Sequence, residues 1–309
     1  MNVHGSIDDL TVRLAGALLG DERFFRDSLE SPPLVDAAAD AAVDGMEFDG
    51  AARAVTGAAT IQTVDAQTPT GEYQAWYRFE EWKGVGHPTV IFHHGSGEDP
   101  FASGMFGGTS VDRLFGDGEE LRANVVVVRA PFHDRTAGEY VRRMGDLADF
   151  VGLLASSTAV IEALVARLHE MGTPAVVVSG ISLGGWVTNL HRAVHGTAER
   201  YAPIFAGARL GEVFTSSAYR HMTAPNARES PDRLEAVLDF DGAFDRADAQ
   251  VKGLLARHDR IVEYAVQKDA YAPDELVTMN YGHVTGSLSS EWHRVHLEKA
   301  LREAPGYEG

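Results

Sequence analysis

The sequence predicts an α/β protein: a mostly parallel central sheet flanked by helices, with an N-terminal helical extension and at most a small cap. Three observations carry this fold class. From about residue 89 onward, short apolar runs alternate with longer stretches of 3.6-residue apolar period. That is the pattern of strands buried on both faces and joined by covering helices. One joint, Val176-Val177-Val178-Ser179-Gly180-Ile181-Ser182-Leu183-Gly184-Gly185-Trp186, passes from a β-branched strand into a helix through Gly-x-Ser-x-Gly. Finally, 309 residues with 44% hydrophobic content suffice for one large core. No internal repeat, low-complexity tract or linker divides the chain. Residues 1–50 are therefore read as the extension and 51–309 as one domain.

The elements follow in order. Ile7, Leu10, Leu14 and Leu18 fall at helical spacing and mark the apolar face of a first helix. Phe24, Phe25 and Leu29 extend that face until Ser31-Pro32-Pro33 breaks it. A second helix over 34–43 ends before Asp44-Gly45. The extension is expected to pack on the main domain, with a lid or dimerisation arm as the alternative. Residues 60–64 and 72–80 read as two strands joined by the turn Thr68-Pro69-Thr70-Gly71, a hairpin at one sheet edge. Residues 89–92 form a buried strand ending in His93-His94-Gly95-Ser96-Gly97, and 124–128 form the next, closed by Pro131-Phe132-His133-Asp134. A helical region covers about 139–171, with breaks expected at Gly145, Gly152 or Ser156-Ser157-Thr158. The elbow helix runs over 183 to about 195. Strands then fall at 202–206, 251–256 and 276–281, with a loop-rich 207–231 and a helix over 231–240 between the first two. A short helix at 263–271 and an amphipathic helix at 288–303 complete the pattern.

Composition narrows the partners. The balance of 27 basic against 45 acidic residues leaves a net charge of −18. Such a surface repels phosphate backbones and anionic lipid, so neither nucleic acid nor a membrane surface is expected as partner. Only Lys83, Lys252, Lys268 and Lys299 are lysines. Acid in place of lysine resembles proteins of salt-adapted, halophilic organisms, where salt screens self-repulsion. The chain has no cysteine, which excludes disulfides, thiolate metal sites and a cysteine nucleophile. The N-terminus lacks a basic segment followed by an apolar one, and no apolar run reaches the length of a membrane span. A cytoplasmic location is expected.

Glycine two residues on either side of a serine, between strand and helix, is what a nucleophile elbow requires. A serine hydroxyl is a poor nucleophile at neutral pH. It needs a base in reach, and the base needs a carboxylate to fix its tautomer and stabilise its cation. In an open parallel sheet such groups converge outside the carboxyl ends of the strands. Asp259 and His283 each sit just past a strand that follows Ser182, in the chain order Ser, Asp, His. The rivals fit less well. His293 and His296 belong to the face of the last helix. His191 and His195 have the spacing of a helical metal pair, but Arg192 stands where a zincin carries its glutamate, so no metal is expected. Asp239, Asp241 and Asp245 precede a strand rather than follow one. A dinucleotide loop fails because Ser182 replaces the middle glycine, and no Walker lysine follows a glycine-rich loop. No cofactor is expected.

Taken together, His94-Gly95, Gly180-x-Ser182-x-Gly184, His258-Asp259-x-x-Val262 and Gly282-His283 resemble the α/β-hydrolase superfamily over residues 58–304. The resemblance implies a serine hydrolase acting on a carboxylic ester or related acyl bond. It makes Ser182 the nucleophile, His283 the base and then acid, and Asp259 the orienting carboxylate. One oxyanion donor is the amide of Leu183, at the positive end of the helix that follows. The resemblance takes the other from the loop after His94-Gly95: Ser96, with Gly97 as the alternative, and His94 as a supporting residue.

The substrate is expected to be a small acyl compound. Loops 98–118, 131–140 and 209–231 carry Phe101, Met105, Phe106, Phe132, Phe214 and Tyr219, which suggest an acyl or aryl pocket. An acyltransferase, a peptidase and a non-catalytic binding protein are the alternatives on the same fold, and the oligomeric state is left open. The composition also predicts that stability rises with salt. The unfolding midpoint should climb from low to multimolar salt, and a midpoint that stays level or falls contradicts the salt-adapted reading.

Overall fold

The computed structural model describes residues 3–44, 46, 60–102, 108–116 and 121–307. The expected boundary between residues 50 and 51 lies outside the described residues, as do Met105 and Phe106. Nine strands among the described residues form one sheet: β1 (Ala42–Val43), β2 (Ile61–Thr68), β3 (Gly71–Glu81), β4 (Thr89–His93), β5 (Asn124–Arg129), β6 (Val176–Ile181), β7 (Arg200–Ile204), β8 (Gly253–Ala256) and β9 (Leu276–Met279). Their spatial order is β1-β2-β3-β5-β4-β6-β7-β8-β9. The first three strands and the β3–β5 junction are antiparallel, and β5 to β9 run parallel. This is the α/β-hydrolase fold, with the expected hairpin at one edge.

Valine and isoleucine dominate β4, β5 and β6, and every residue in the three strands is buried. Helices cover both sides: α1 (Val3–Leu18), α2 (Leu34–Ala39), α3 (Ala137–Arg143), α4 (Leu147–Glu170), α5 (Leu183–Val194), α6 (His283–Ser287) and α7 (Ser290–Arg302). The chain leaves β4 towards β5 on one side and places β6 on the other. That reversal opens a crevice at the carboxyl ends of β4 and β6, where ligands bind in open α/β sheets.

Several elements depart from expectation. The long helical region breaks only at Gly145. Gly152 and Ser156 to Thr158 lie inside α4, where the hydroxyls of Ser156 and Thr158 donate to Leu153 O (3.1 Å) and Leu154 O (2.9 Å). Those bonds let polar residues sit inside a buried helix. α4 is long and apolar enough to cross a membrane, but 78% of its most apolar window is buried in the fold. The helix expected over 34–43 stops at Ala39, because residues 42–43 pair with β2. The expected loop over 207–231 is a set of short helices, Gly211–Thr215, Ala218–Met222 and Pro225–Arg228, followed by Pro231–Leu238 and Asp241–Phe244. The first two supply Val213, Phe214 and Tyr219 to the crevice and form a small cap.

The largest departure is α1. Leu10, Leu14 and Leu18 are 58%, 55% and 88% exposed, whereas Gly5, Asp8, Val12 and Gly16 face inward. Small residues let this helix approach the domain more closely than leucines would. Phe24 and Phe25 do not extend its apolar face. They lie beyond the helix, fully buried, with their amides donating to Met222 O (2.9 Å) and Met144 O (2.8 Å).

Arg192, which stands where a zincin carries its glutamate, has a structural role. Buried on α5, it donates through Nε to Ala249 O (2.7 Å), through Nη1 to Phe244 O (2.9 Å) and through Nη2 to Ala247 O (2.7 Å). It thereby fixes the segment that leads into β8. Arg192→Ala leaves Ala247 O and Ala249 O without a donor, while Phe244 O keeps the Ala247 amide (3.2 Å), and is expected to cost at least about 2 kcal/mol of stability. Chemical denaturation checks this, and an unchanged midpoint contradicts it.

Candidate active site

The elbow is as tight as the glycines imply. Ser182 sits at φ 54°, ψ −112°, a region a non-glycine residue adopts only under strain. A Cβ on Gly184 would lie 2.1 Å from His93 O, and one on Gly180 would lie 2.5 Å from the Gly184 backbone. Only glycine lets β6, α5 and the end of β4 meet this closely. The turn is held by Ser182 N–H donating to Ile204 O (2.8 Å) and Trp186 N–H donating to Ser182 O (3.0 Å).

Three residues distant in sequence meet here. The Ser182 hydroxyl lies 3.1 Å from His283 Nε2, and His283 Nδ1 lies 2.7 Å from Asp259 Oδ2. The second Asp259 oxygen accepts the amides of Ile261 (2.8 Å) and Val262 (2.7 Å). With Nδ1–H donating to the carboxylate, Nε2 is left to accept from the serine. Asp259 and His283 are both buried. Burial by itself pulls the His283 imidazole down. The charge and hydrogen bond of Asp259 outweigh it, with a further push from Asp8, and His283 ends above its ordinary value. Burial raises Asp259, and the imidazole opposes that rise.

The upstream loop adds the remaining groups. His94 Nε2 accepts the Ala130 amide at 3.0 Å, so Nδ1 carries the proton and donates to Gly95 O at 2.7 Å. Deep burial holds this imidazole well below its usual value and neutral. His94 thus ties the loop after β4 to the end of β5, as a supporting residue. The amides of Leu183 and Ser96 are taken up by no other acceptor among the described residues. Ser96 lines the crevice beside Ser182, while Gly97, at φ 75°, does not.

Two pockets flank Ser182. One, about 210 Å³, is apolar and walled by Phe24, Phe150, Trp186, Leu210, Phe214 and Tyr219. Within it the Ser96 hydroxyl lies 3.1 Å from the Tyr140 hydroxyl. The other, about 270 Å³, is more polar and presents Glu98, Ser110 and Arg113. Of the expected pocket aromatics, Phe214 and Tyr219 line it. Phe101 instead packs under the guanidiniums of Arg78 and Arg129, and Phe132 packs against Tyr73 and Arg143. Phe24, Phe150 and Trp186 also line the apolar pocket without any local sequence signal of that role. They come from three separate segments, and only the fold brings them together.

The rival residues have other partners. His191 is held between Glu162 (3.0 Å) and the Tyr201 hydroxyl (2.9 Å). Asp239 accepts the Gly211 amide (2.7 Å) at the start of the cap. His293 and His296 face the core from α7, with His293 edge-on to Phe205.

Comparison with solved structures agrees with this fold. The chain resembles acylaminoacyl peptidase from Pyrococcus horikoshii (TM-score 0.53, 15% identity, 85% of this chain and 45% of that one). It resembles acetyl xylan esterase from Paenibacillus sp. R4 (TM-score 0.54, 14% identity, 98% and 96%) and an esterase from Pyrococcus furiosus (TM-score 0.53, 14% identity, 90% and 99%). The chain spans less than half the length of the acylaminoacyl peptidase it matches. No protein-family model matches the sequence, and no curated protein matches it.

The geometry predicts that the His283 imidazole titrates above 6.5 and that Asp259→Asn moves it down, because the carboxylate favours the imidazolium. NMR titration of the ring checks this. An Asp259→Asn titration that coincides with the parent contradicts it.

Proposed function

We propose that this protein is a serine hydrolase that cleaves carboxylic esters through an acyl-enzyme on Ser182. The observation that carries the reading is the hydrogen-bonded chain from Ser182 through His283 to Asp259, set at the mouth of an apolar pocket. The Ser182 oxygen attacks the ester carbonyl carbon while its proton passes to His283 Nε2. Asp259 stabilises the resulting imidazolium without taking the proton. Negative charge gathers on the carbonyl oxygen, and the amides of Leu183 and Ser96 donate to it. One such donor is worth roughly 10²–10³-fold in rate.

Collapse of the tetrahedral intermediate breaks the bond to the leaving oxygen, which takes the proton from His283. Water then repeats the sequence on the acyl-enzyme, losing its proton to Nε2, and Ser182 leaves with that proton. The aromatic pocket accepts the apolar part of the substrate, as a short-chain or aryl group. The polar pocket receives the other side of the ester, beside Glu98 and Arg113.

Ser182→Ala is expected to lower turnover of a short-chain p-nitrophenyl ester by at least about a thousand-fold with the fold intact. In the parent, kcat/KM should rise with pH along a limb centred above 6.5, since only neutral His283 accepts the serine proton and its shift is upward. Turnover retained in Ser182→Ala, or a limb centred below 6.5, contradicts the proposal.

A further inference from the structure

Asp8 is fully buried on the inner face of α1. Its partners lie at the other end of the chain. Oδ2 accepts the amides of His283 (2.8 Å) and Arg260 (3.1 Å), and Oδ1 accepts the amide of Val284 (2.9 Å). The Arg260 amide belongs to the loop after β8 that presents Asp259, and those of His283 and Val284 open α6, where the loop after β9 ends. A buried carboxylate is costly unless it is hydrogen-bonded, and charge-assisted bonds to three amides repay much of that cost. The fit is close: a Cβ on Gly282 would lie 2.7 Å from Asp8 Oδ2. One turn earlier, His4 bonds the Thr285 hydroxyl through Nδ1 (2.9 Å) and lies parallel to the His258 ring, 6.3 Å away. α1 therefore grips both loops at once.

We infer that Asp8 is a positioning residue for the Ser182–His283–Asp259 chain. Its carboxylate holds the two loops in register, so that Nδ1 meets Oδ2, and sets a second negative charge behind the imidazole. The inference rests on the serine-hydrolase reading. His258 N–H donates to Tyr281 O (2.9 Å) and ties the loops near their strand ends, but beyond that bond the turns that carry Asp259 and His283 can still shift apart, and a misplacement of about 1 Å costs up to 10²-fold in rate. A single acceptor shared by Arg260 and His283 removes that freedom.

The charge has its own effect. Asp259 bonds the His283 ring and Asp8 its amide; His4 from α1 bonds Thr285 on the same helix and stacks on His258, Arg260 shares Asp8 through its amide, and His293 from α7 lies against Phe205, whose ring also packs on His283. Glu98 and Arg113 face it with opposite charges across the polar pocket. Asp259 and, behind it, Asp8 favour the imidazolium. Removing the Asp8 charge therefore lowers the pH at which His283 gives up its proton.

The test compares the full-length parent, Asp8→Asn and Asp8→Glu on one p-nitrophenyl ester. Asp8→Asn keeps the shape but loses the charge and turns a donor toward the amides. Its folded fraction should lose about ten- to a hundred-fold in kcat with KM within about two-fold, and its acid limb should move to lower pH. Asp8→Glu keeps the charge but displaces it, so it should lose kcat while holding its limb near the parent's. An Asp8→Asn enzyme that is less stable yet keeps the parent's kcat and pH profile overturns the inference. Should neither variant fold, amide exchange in the parent decides. Slow exchange at Arg260, His283 and Val284 supports the clamp, and exchange as fast as in exposed loops overturns it. A parent without ester turnover sinks the serine-hydrolase reading and this inference with it, whereas an active parent matched by Asp8→Asn sinks the inference alone.

Discussion

The close crossing of β6, α5 and the end of β4 is the constraint on which the rest of this site depends. Three backbone segments meet where no side chain larger than hydrogen fits at Gly180 or Gly184. The chain can turn this sharply only if the residue between them takes a positive φ, and Ser182 does. The strain is offset by bonds to Ile204 O and from Trp186 N–H. Its consequence is that the serine oxygen stands clear of the sheet, the Leu183 amide points free at a helix start, and space opens on both sides. The apolar and polar pockets are the two halves of that space.

The remaining groups arrive by the parallel sheet. β8 and β9 are adjacent and in register, so the loops at their carboxyl ends bring Asp259 and His283 together although 23 residues intervene. Those loops are supported from both sides. Arg192 fixes the approach to β8 through three carbonyls, and Asp8 takes three amides from beyond β8 and β9. On the proposed reading, a reaction at one serine draws on residues from the first helix to the last strand. Phe24 carries the same lesson for binding, since the N-terminal segment supplies a wall of the pocket.

What was legible in the sequence was local or periodic. Gly-x-Ser-x-Gly after a valine run announces a tight turn because the steric demand falls on neighbours in the chain. The buried strands show because their apolar runs are continuous. Asp259 and His283 stand out because each follows such a run. The inner face of α1 differs from the one its leucine spacing predicts for a physical reason. Apolar spacing measures which face could be buried in an apolar core, and this helix instead buries Gly5, Asp8 and Gly16 against backbone. An aspartate that accepts three amides leaves no periodic mark. The pocket was half legible: Phe214 and Tyr219 lie in one loop, but Phe24, Phe150 and Trp186 converge only through the fold. Phe101 and Phe132 show the converse, aromatics in loops that pack against arginine rather than substrate.

The most direct measurement is covalent. Treatment with a fluorophosphonate, followed by peptide mapping by mass spectrometry, reads which residue behaves as the activated nucleophile. A serine activated by His283 should carry a single adduct, on Ser182, and His283→Ala should lose it. An adduct on another residue, or none under conditions that label a known serine hydrolase, contradicts the central claim.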